Sequence, residues 1–309
     1  MNFLEHMRIF SRVAELSSFT QAADNLGLPK ATVSTSVQQL ENQLGARLLH
    51  RTTRKVLLTQ DGQAFYERCV DALADMDELQ TMFQQKDAAL LKGRVRIDMS
   101  TVMAQDAVLP RLPELLQTYP LLEVEVSSTE RRVDLVREGF DCVLRAGKVV
   151  EPGLIAKPLC DMRLVNCVSA DYVARHGLPH TLADLAAHQL VHYAAVLGSK
   201  PTGFEYLQGD EDRALPMPGQ VTVNNAGAYQ SACLAGLGLI QAPYVGLRRW
   251  IASGELIMVL PAFEARPLPL SLVYASRRNQ SARVRVVMDW LSRVVIAHCT
   301  VDAAHLGSQ

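Results

Sequence analysis

Two short helical patterns meeting at a tight corner, between Ser18 and Arg51, restrict this 309-residue chain more than any other part of it. Ser18 with Gln21 makes a capping-box pair that starts a helix near Phe19 and carries it to Leu26. Gly27 releases the chain, and Leu28-Pro29-Lys30 forms the corner. Pro29 has no N–H to lose and suits the first turn of the next helix. Val33, Val37, Leu40, Leu44 and Leu48 then follow at spacings of four, three, four and four, one apolar stripe on one face. The opposite face carries Lys30, Thr32, Ser34, Thr35 and Gln38, side chains that donate to phosphates or meet base edges. This is the plan of a helix-turn-helix, one helix bracing and the next entering a DNA major groove. An ordinary helical hairpin has the same stripe, so the sequel decides. Arg51, Thr52, Thr53, Arg54 and Lys55 form a cationic turn, and Val56 to Thr59 is strand-like, which gives the unit a basic wing. Arg51, Arg54 and Lys55 fit backbone positioning better than base reading.

Leu4 to Leu16 has a broad apolar face that closes a three-helix core with Phe19, Ala22, Ala23 and Leu26. Residues 1–60 hold seven Lys or Arg against four Asp or Glu, 7 − 4 = +3, although the whole chain has a formal net charge of -1. The basic character is local, and it favours a DNA backbone. A long helical pattern follows from about Asp61 to Leu91. Phe65, Cys69, Ala72, Met76, Leu79 and Phe83 fall at the alternating four-three spacing of a coiled coil, among mainly charged and polar neighbours. So narrow a seam on so long a helix predicts pairing with the same helix of a second copy.

After Gly93 the pattern changes. Strands are expected at Arg94–Met99, Leu122–Ser127 and Asp141–Leu144, with helices at Val102–Tyr119 and Arg131–Glu138, a β-α-β-α-β run that implies a parallel sheet. Further strands are expected at Met162–Ala170, Gln220–Asn224, Gly236–Ile240, Glu255–Leu260 and Leu270–Ala275. Helices are expected at Leu182–His188, Ala226–Ala235, Leu247–Ser253 and Ala282–Ala297, with a loop-rich stretch between Gly198 and Gly219. Two α/β lobes follow. In such sheets ligands sit beyond the carboxyl ends of strands. Ser100 and Thr101 lie at one such end ahead of a helix, where hydroxyls and free N–H groups receive a small anion.

Six cysteines without a CxxC pair, and no paired histidine spacing, indicate neither a disulfide framework nor a metal site. No cofactor is implied. The first residues lack a secretory pattern, and no stretch approaches 18 uninterrupted apolar residues, so a cytoplasmic protein without membrane contact is expected.

The run Phe10, Ser17-Ser18-Phe19-Thr20, Ala22-Ala23, Leu26, Val33-Ser34, Leu40-Glu41, Leu44-Gly45, Arg47-Leu48, Arg51-Thr52, Leu58-Thr59 and Gly62 closely resembles the N-terminal signature of LysR-type bacterial transcriptional regulators. The later elements resemble that family's effector-binding region in order. The resemblance implies an N-terminal winged helix-turn-helix with a long dimerisation helix, then a two-lobed, periplasmic-binding-protein-like α/β domain. The expected boundaries are 1–60 for DNA binding, 61–91 for the linker helix, 92–300 for the effector domain and 301–309 for a flexible tail. Lobe one comprises 93–161 and 270–300, lobe two 162–269, and the crossovers lie near Asp161–Leu164 and Pro267–Leu270. It also implies a dimer or dimer of dimers, with RNA polymerase as a further candidate partner. Pro29-Lys30-Ala31-Thr32, Thr35 and Ser36 depart from residues common in the family, so the resemblance supports DNA binding without giving the preferred bases.

By the same resemblance, the far side of the cleft comes from Asn224, Asn225, His192 and Tyr193. Thr129, Arg145, Thr202 and Phe204 complete the candidates. Arg145, with its forked donors, points to a carboxylate or sulfonate effector; a surface or interlobe ion pair is its alternative. No nucleophile, metal cluster or paired acids accompany His192, so catalysis is not expected. The leading expectation is a sequence-specific, effector-modulated transcriptional regulator. The alternatives are a small-molecule receptor without DNA specificity and, more remotely, an enzyme using the α/β cleft.

Overall fold

The computed structural model describes the chain except residues 52–55, 81–90, 150, 276–279 and 306–309. It divides into two units, Met1–Arg94 and Val95–Gln309.

The first unit runs α1 (Phe3–Leu16), α2 (Phe19–Leu26), α3 (Lys30–Leu44), β1 (Leu49–Arg51), β2 (Val56–Leu58) and α4 (Gln60–Gln80). Asn2 and Glu5 cap α1 reciprocally, and Ser18 Oγ accepts the Gln21 N–H at 3.3 Å to start α2. Gly27, at φ 66°, ends α2 in the left-handed region that glycine enters without strain. Phe10, Val13, Val33, Val37 and Leu40 meet in the core with no exposed surface. Each such side chain contributes about 1.5–3 kcal/mol of burial. Glu41 is buried at the end of α3, where Oε1 accepts the N–H groups of Leu48 (2.9 Å) and Leu49 (3.2 Å) and so fixes the start of the wing hairpin. β1 and β2 pair antiparallel, Leu49 opposite Leu58.

The expected dimer seam is corrected at its start. Cys69 is 1% exposed, its thiol lies 3.3 Å from Ser11 Oγ, and Phe65 and Ala72 pack on the same core. The first turns of α4 therefore form the fourth wall of the three-helix core, because three helices this short leave one apolar flank open. Met76 is half-buried; the side chain of Leu79, and Phe83 entirely, lie outside the described residues. Where α4 starts, Thr59 Oγ1 donates to Arg47 O (2.6 Å) and accepts the Gly62 N–H (2.8 Å). A Cβ on Gly62 would stand 1.9 Å from Leu48 O. Gly62→Ala is expected to destabilise this unit by about 1–3 kcal/mol through overpacking against backbone, measured as a lowered midpoint in urea; an unchanged midpoint would show that α4 can slide off β1.

The second unit contains a five-stranded sheet in the order β4 (Leu122–Ser128), β3 (Gly93–Met99), β5 (Cys142–Ala146), β14 (Leu268–Ala275), β6 (Leu154–Met162). β3 and β5 are parallel, as the β-α-β pattern implies. β14 enters antiparallel between β5 and β6, so the sheet is mixed rather than parallel. β6 was not expected: this strand beside β14 is largely exposed and interrupted by Pro158, and it lacks the apolar alternation that announces a strand. The helix after β3 is irregular. It begins as α5 (Thr101–Met103), widens to a π-turn at Ala104–Val108, tightens at Leu109–Arg111 and resumes as α6 (Leu112–Thr118), with Pro110 and Pro113 in its course. Only α7 (Leu135–Glu138) is helical in the stretch from Arg131.

A second lobe is built on β7 (Leu164–Ser169), flanked antiparallel by β12 (Ile240–Pro243) and β13 (Leu256–Met258). Around it stand α8 (Ala170–His176), α9 (Ala226–Leu234) and α10 (Tyr244–Ala252), with β8 (His192–Tyr193) parallel to β11 (Thr222–Val223). The stretch read as loop holds a hairpin, β9 (Phe204–Gln208) and β10 (Glu211–Leu215). Its prolines and glycines lie at the ends and turn and obscured the strands between them. The two passages between the lobes run side by side, Leu268 opposite Met162, and Arg163 clasps Glu264 through two bonds of 2.7 and 2.6 Å. The closing helix α11 (Ala282–His305) continues past residue 300, where a flexible tail was expected, and within it Thr300 Oγ1 donates to Ile296 O at 2.9 Å.

Candidate functional site: a recognition helix and a strand-end cleft

In the first unit, the corner at Pro29 and the core contacts of Val33, Val37 and Leu40 fix which face of α3 is outward. Lys30, Thr35 and Gln38 are exposed on that face, and Thr32 and Ser34 are half-buried beside them. Ser36 is buried and donates back to Thr32 O at 2.8 Å, so it is a helix-internal residue and not a reader. Arg51 belongs to β1, its side chain outside the described residues; Arg54 and Lys55 lie outside them altogether.

In the second unit, the carboxyl ends of β3, β4 and β5 gather polar groups. Asp98 is completely buried; Oδ2 accepts from Thr129 Oγ1 (2.9 Å) and Oδ1 from Arg145 Nη1 (3.2 Å). Arg145, expected as a free oxyanion fork, is therefore paired within its own lobe, while Nη2 is buried without a hydrogen-bond partner among the described residues. Ser100 Oγ caps α5 by accepting the Met103 N–H at 3.3 Å, and Asn225 Oδ1 caps α9 by accepting from Ala228 at 3.0 Å. These two caps face each other across the lobes, with Asn225 Nδ2 3.5 Å from Thr101 Oγ1. Tyr193 packs edge-on against Tyr229, centroids 5.4 Å apart, and its phenol is pushed up to about 12, by burial first and then by the charge of Glu130.

Glu130, next to Thr129, had no role in the sequence reading. The backbone N–H groups of Ala226 and Thr101 bear on its carboxylate and lower its pKa, but burial raises it further, and the net shift is upward. Its position directly after a sheet strand, beside a candidate already singled out, is the signal that was available.

Four expected effector residues are not part of this group. Phe204 is fully buried in the second-lobe core with Leu185 and Leu239, because it opens the β9 strand rather than a loop. His192 is 7% exposed and packs on Gly219, where a Cβ would lie 2.6 Å from Nε2. Thr202 is exposed ahead of β9, with no described contact to the cleft. Asn224 is exposed beside Asn225. Buried Cys142, Cys167 and Cys233 have thiols pushed well up by desolvation, Cys233 to about 12, the opposite of an activated nucleophile.

A winged helix-turn-helix in one unit and a two-lobed α/β receptor in the other define the class: a DNA-binding regulator with an effector-binding domain. Residues 4–63 match the bacterial regulatory helix-turn-helix protein, lysR family, and residues 88–295 match the LysR substrate binding domain. The chain belongs to the LysR family of transcriptional regulators, which are not enzymes. It is 45% identical over 295 residues to the uncharacterised HTH-type transcriptional regulator YhjC of Escherichia coli K12, covering 96% of this chain and 98% of that one. It is 34% identical over 300 residues to the HTH-type transcriptional regulator DmlR of the same strain, covering 96% and 95%. Among solved structures it resembles CrgA, a LysR-type regulator from Neisseria meningitidis, at 29% identity and a TM-score of 0.59, covering 94% of this chain and 97% of that one. No helix among the described residues is long and apolar enough to cross a membrane.

Proposed function

We propose that this regulator reads promoter DNA in the cytoplasm through Lys30, Thr32, Ser34, Thr35 and Gln38, with Arg51, Arg54 and Lys55 holding the phosphate backbone, and that a small organic effector in the cleft of its second unit modulates this binding. The observation that supports it most directly is the outward polar face of α3, held by a buried stripe and a stapled wing. Lys30 at the first turn of α3 reaches a phosphate or a guanine edge. The effector site is the junction of Ser100, Thr101, Thr129, Arg145, Tyr193 and Asn225. Arg145 Nη2, left without a partner beside Asp98, fits one oxygen of a carboxylate or sulfonate. Two copies pair through the far part of the linker helix, from Met76 onward, to set two α3 helices on successive groove faces roughly 34 Å apart.

Mobility-shift titration tests the reading. The wild type is expected to prefer the promoter beside its own gene over random duplex, with strong salt dependence. Lys30→Ala is expected to weaken binding, and Thr35→Ala to change the preferred bases. If Lys30 holds a phosphate, its removal flattens the salt slope by roughly one contact. Equal affinity for promoter and random duplex would sink the regulator reading and leave the receptor alternative.

A further inference from the structure

The carboxylate of Glu130 stands where the two lobes meet, between the first residue of α9 and the first residue of α5. Its ionisable neighbours are Asp98, Arg145 and Tyr193. Oε1 is buried and has no hydrogen-bond partner among the described residues. A buried acceptor left without a donor costs about 1–3 kcal/mol, and more when charged. An incoming group that donates recovers that cost; one that only accepts adds to it. The charges give the same sign. Asp98 and Glu130 oppose Arg145, two carboxylates against one guanidinium, so one negative charge is left uncompensated at this end of the cleft. A carboxylate arriving beside Glu130 would raise that to two, whereas a cationic nitrogen would cancel it.

We infer that Glu130 sets the charge class of the effector: the molecule that fills the cleft presents a cationic nitrogen, an ammonium or amidinium, to Glu130 Oε1. The inference rests on the reading of this cleft as the effector site and narrows it. With an oxyanion at Arg145 Nη2, the implied class is an amino acid or a related amino-substituted organic acid, its two charged groups matched to the two unpartnered atoms of the junction. A plain organic acid satisfies Arg145 and leaves Glu130 Oε1 buried and unmet.

The test uses the full chain and a matched panel: the common α-amino acids, the same carbon skeletons without nitrogen (propionate, succinate, glutarate) and simple amines (propylamine, putrescine). At fixed pH and salt, a nitrogen-bearing compound is expected to raise the unfolding temperature in a concentration-dependent way while its nitrogen-free counterpart does not. Glu130→Gln, which keeps the shape and removes the charge, is expected to bind that compound roughly tenfold more weakly or worse, the scale of one charge-assisted hydrogen bond. Three results overturn the inference: equal stabilisation by nitrogen-free acids, unchanged affinity in Glu130→Gln, or no panel compound shifting the wild type. The wild-type contrast stands even if the variant does not fold. Promoter preference, measured in parallel, separates the two readings: its loss removes the regulator reading, while its retention with stabilisation by acids alone removes only the role of Glu130.

Discussion

Asp98→Ala is expected to remove about 3–5 kcal/mol from the stability of the effector-binding unit, the cost of leaving a buried charge without its partner. Asp98 has no exposed surface, and the Arg145 side chain is only 17% exposed. Without the carboxylate, the guanidinium and the Thr129 hydroxyl lose their shared acceptor at the same sheet edge, and Arg145 loses the one carboxylate it is hydrogen-bonded to. Both tryptophans, Trp250 and Trp290, belong to this unit, so their fluorescence in a urea titration reports the loss directly. Asp98→Ala combined with Arg145→Met is expected to recover a large part of it, since both charges then disappear together. A single variant within about 1 kcal/mol of wild type would mean that Arg145 finds solvent on its own and that the pair does not organise the cleft.

Phe10→Ala is expected to cost the DNA-binding unit about 3–5 kcal/mol. Its ring is fully buried, 5.5 Å from the Phe65 ring and 6.5 Å from Tyr66, and it joins α1 to the first turns of α4. The cavity would lie between them, where neither helix can close in without pulling α3 or the wing out of place. Hydrogen exchange is the suitable measurement, because no tryptophan lies in this unit. Amides of α1 and α4 should lose protection together, and promoter binding should weaken at a temperature where the wild type still binds. Loss of protection in α1 alone would contradict the close coupling of the two helices.

Both sites show what a sequence reveals and what it withholds. The helix-turn-helix was legible because each of its signals is local: a serine cap, a left-handed glycine, a proline at the corner and one apolar stripe. The cleft was legible in part. Ser100, Thr101, Thr129, Arg145, Tyr193 and Asn225 are brought together because strand ends and helix caps can be placed from pattern alone. The pairing of Arg145 with Asp98 could not be read, since it joins residues 47 apart in the chain through parallel strands. Phe204 was misplaced because a hairpin bounded by glycine and proline looks like loop until its partner strand is known. The place of Cys69 is not legible because four-three spacing does not say whether the surface it meets belongs to the same chain or to a second copy. Glu130 is silent in the sequence because a single acid after a strand carries no periodic signal.

The sharing of Phe65, Cys69 and Ala72 with the three-helix core has a mechanical side. α4 extends 21 residues, about 32 Å at 1.5 Å per residue, and its first three turns are bedded in the body that carries α3. Such a helix is a shaft fixed at one end. A displacement of its far end is therefore carried into the body that holds α3, with no hinge between the shaft and the helix that faces outward.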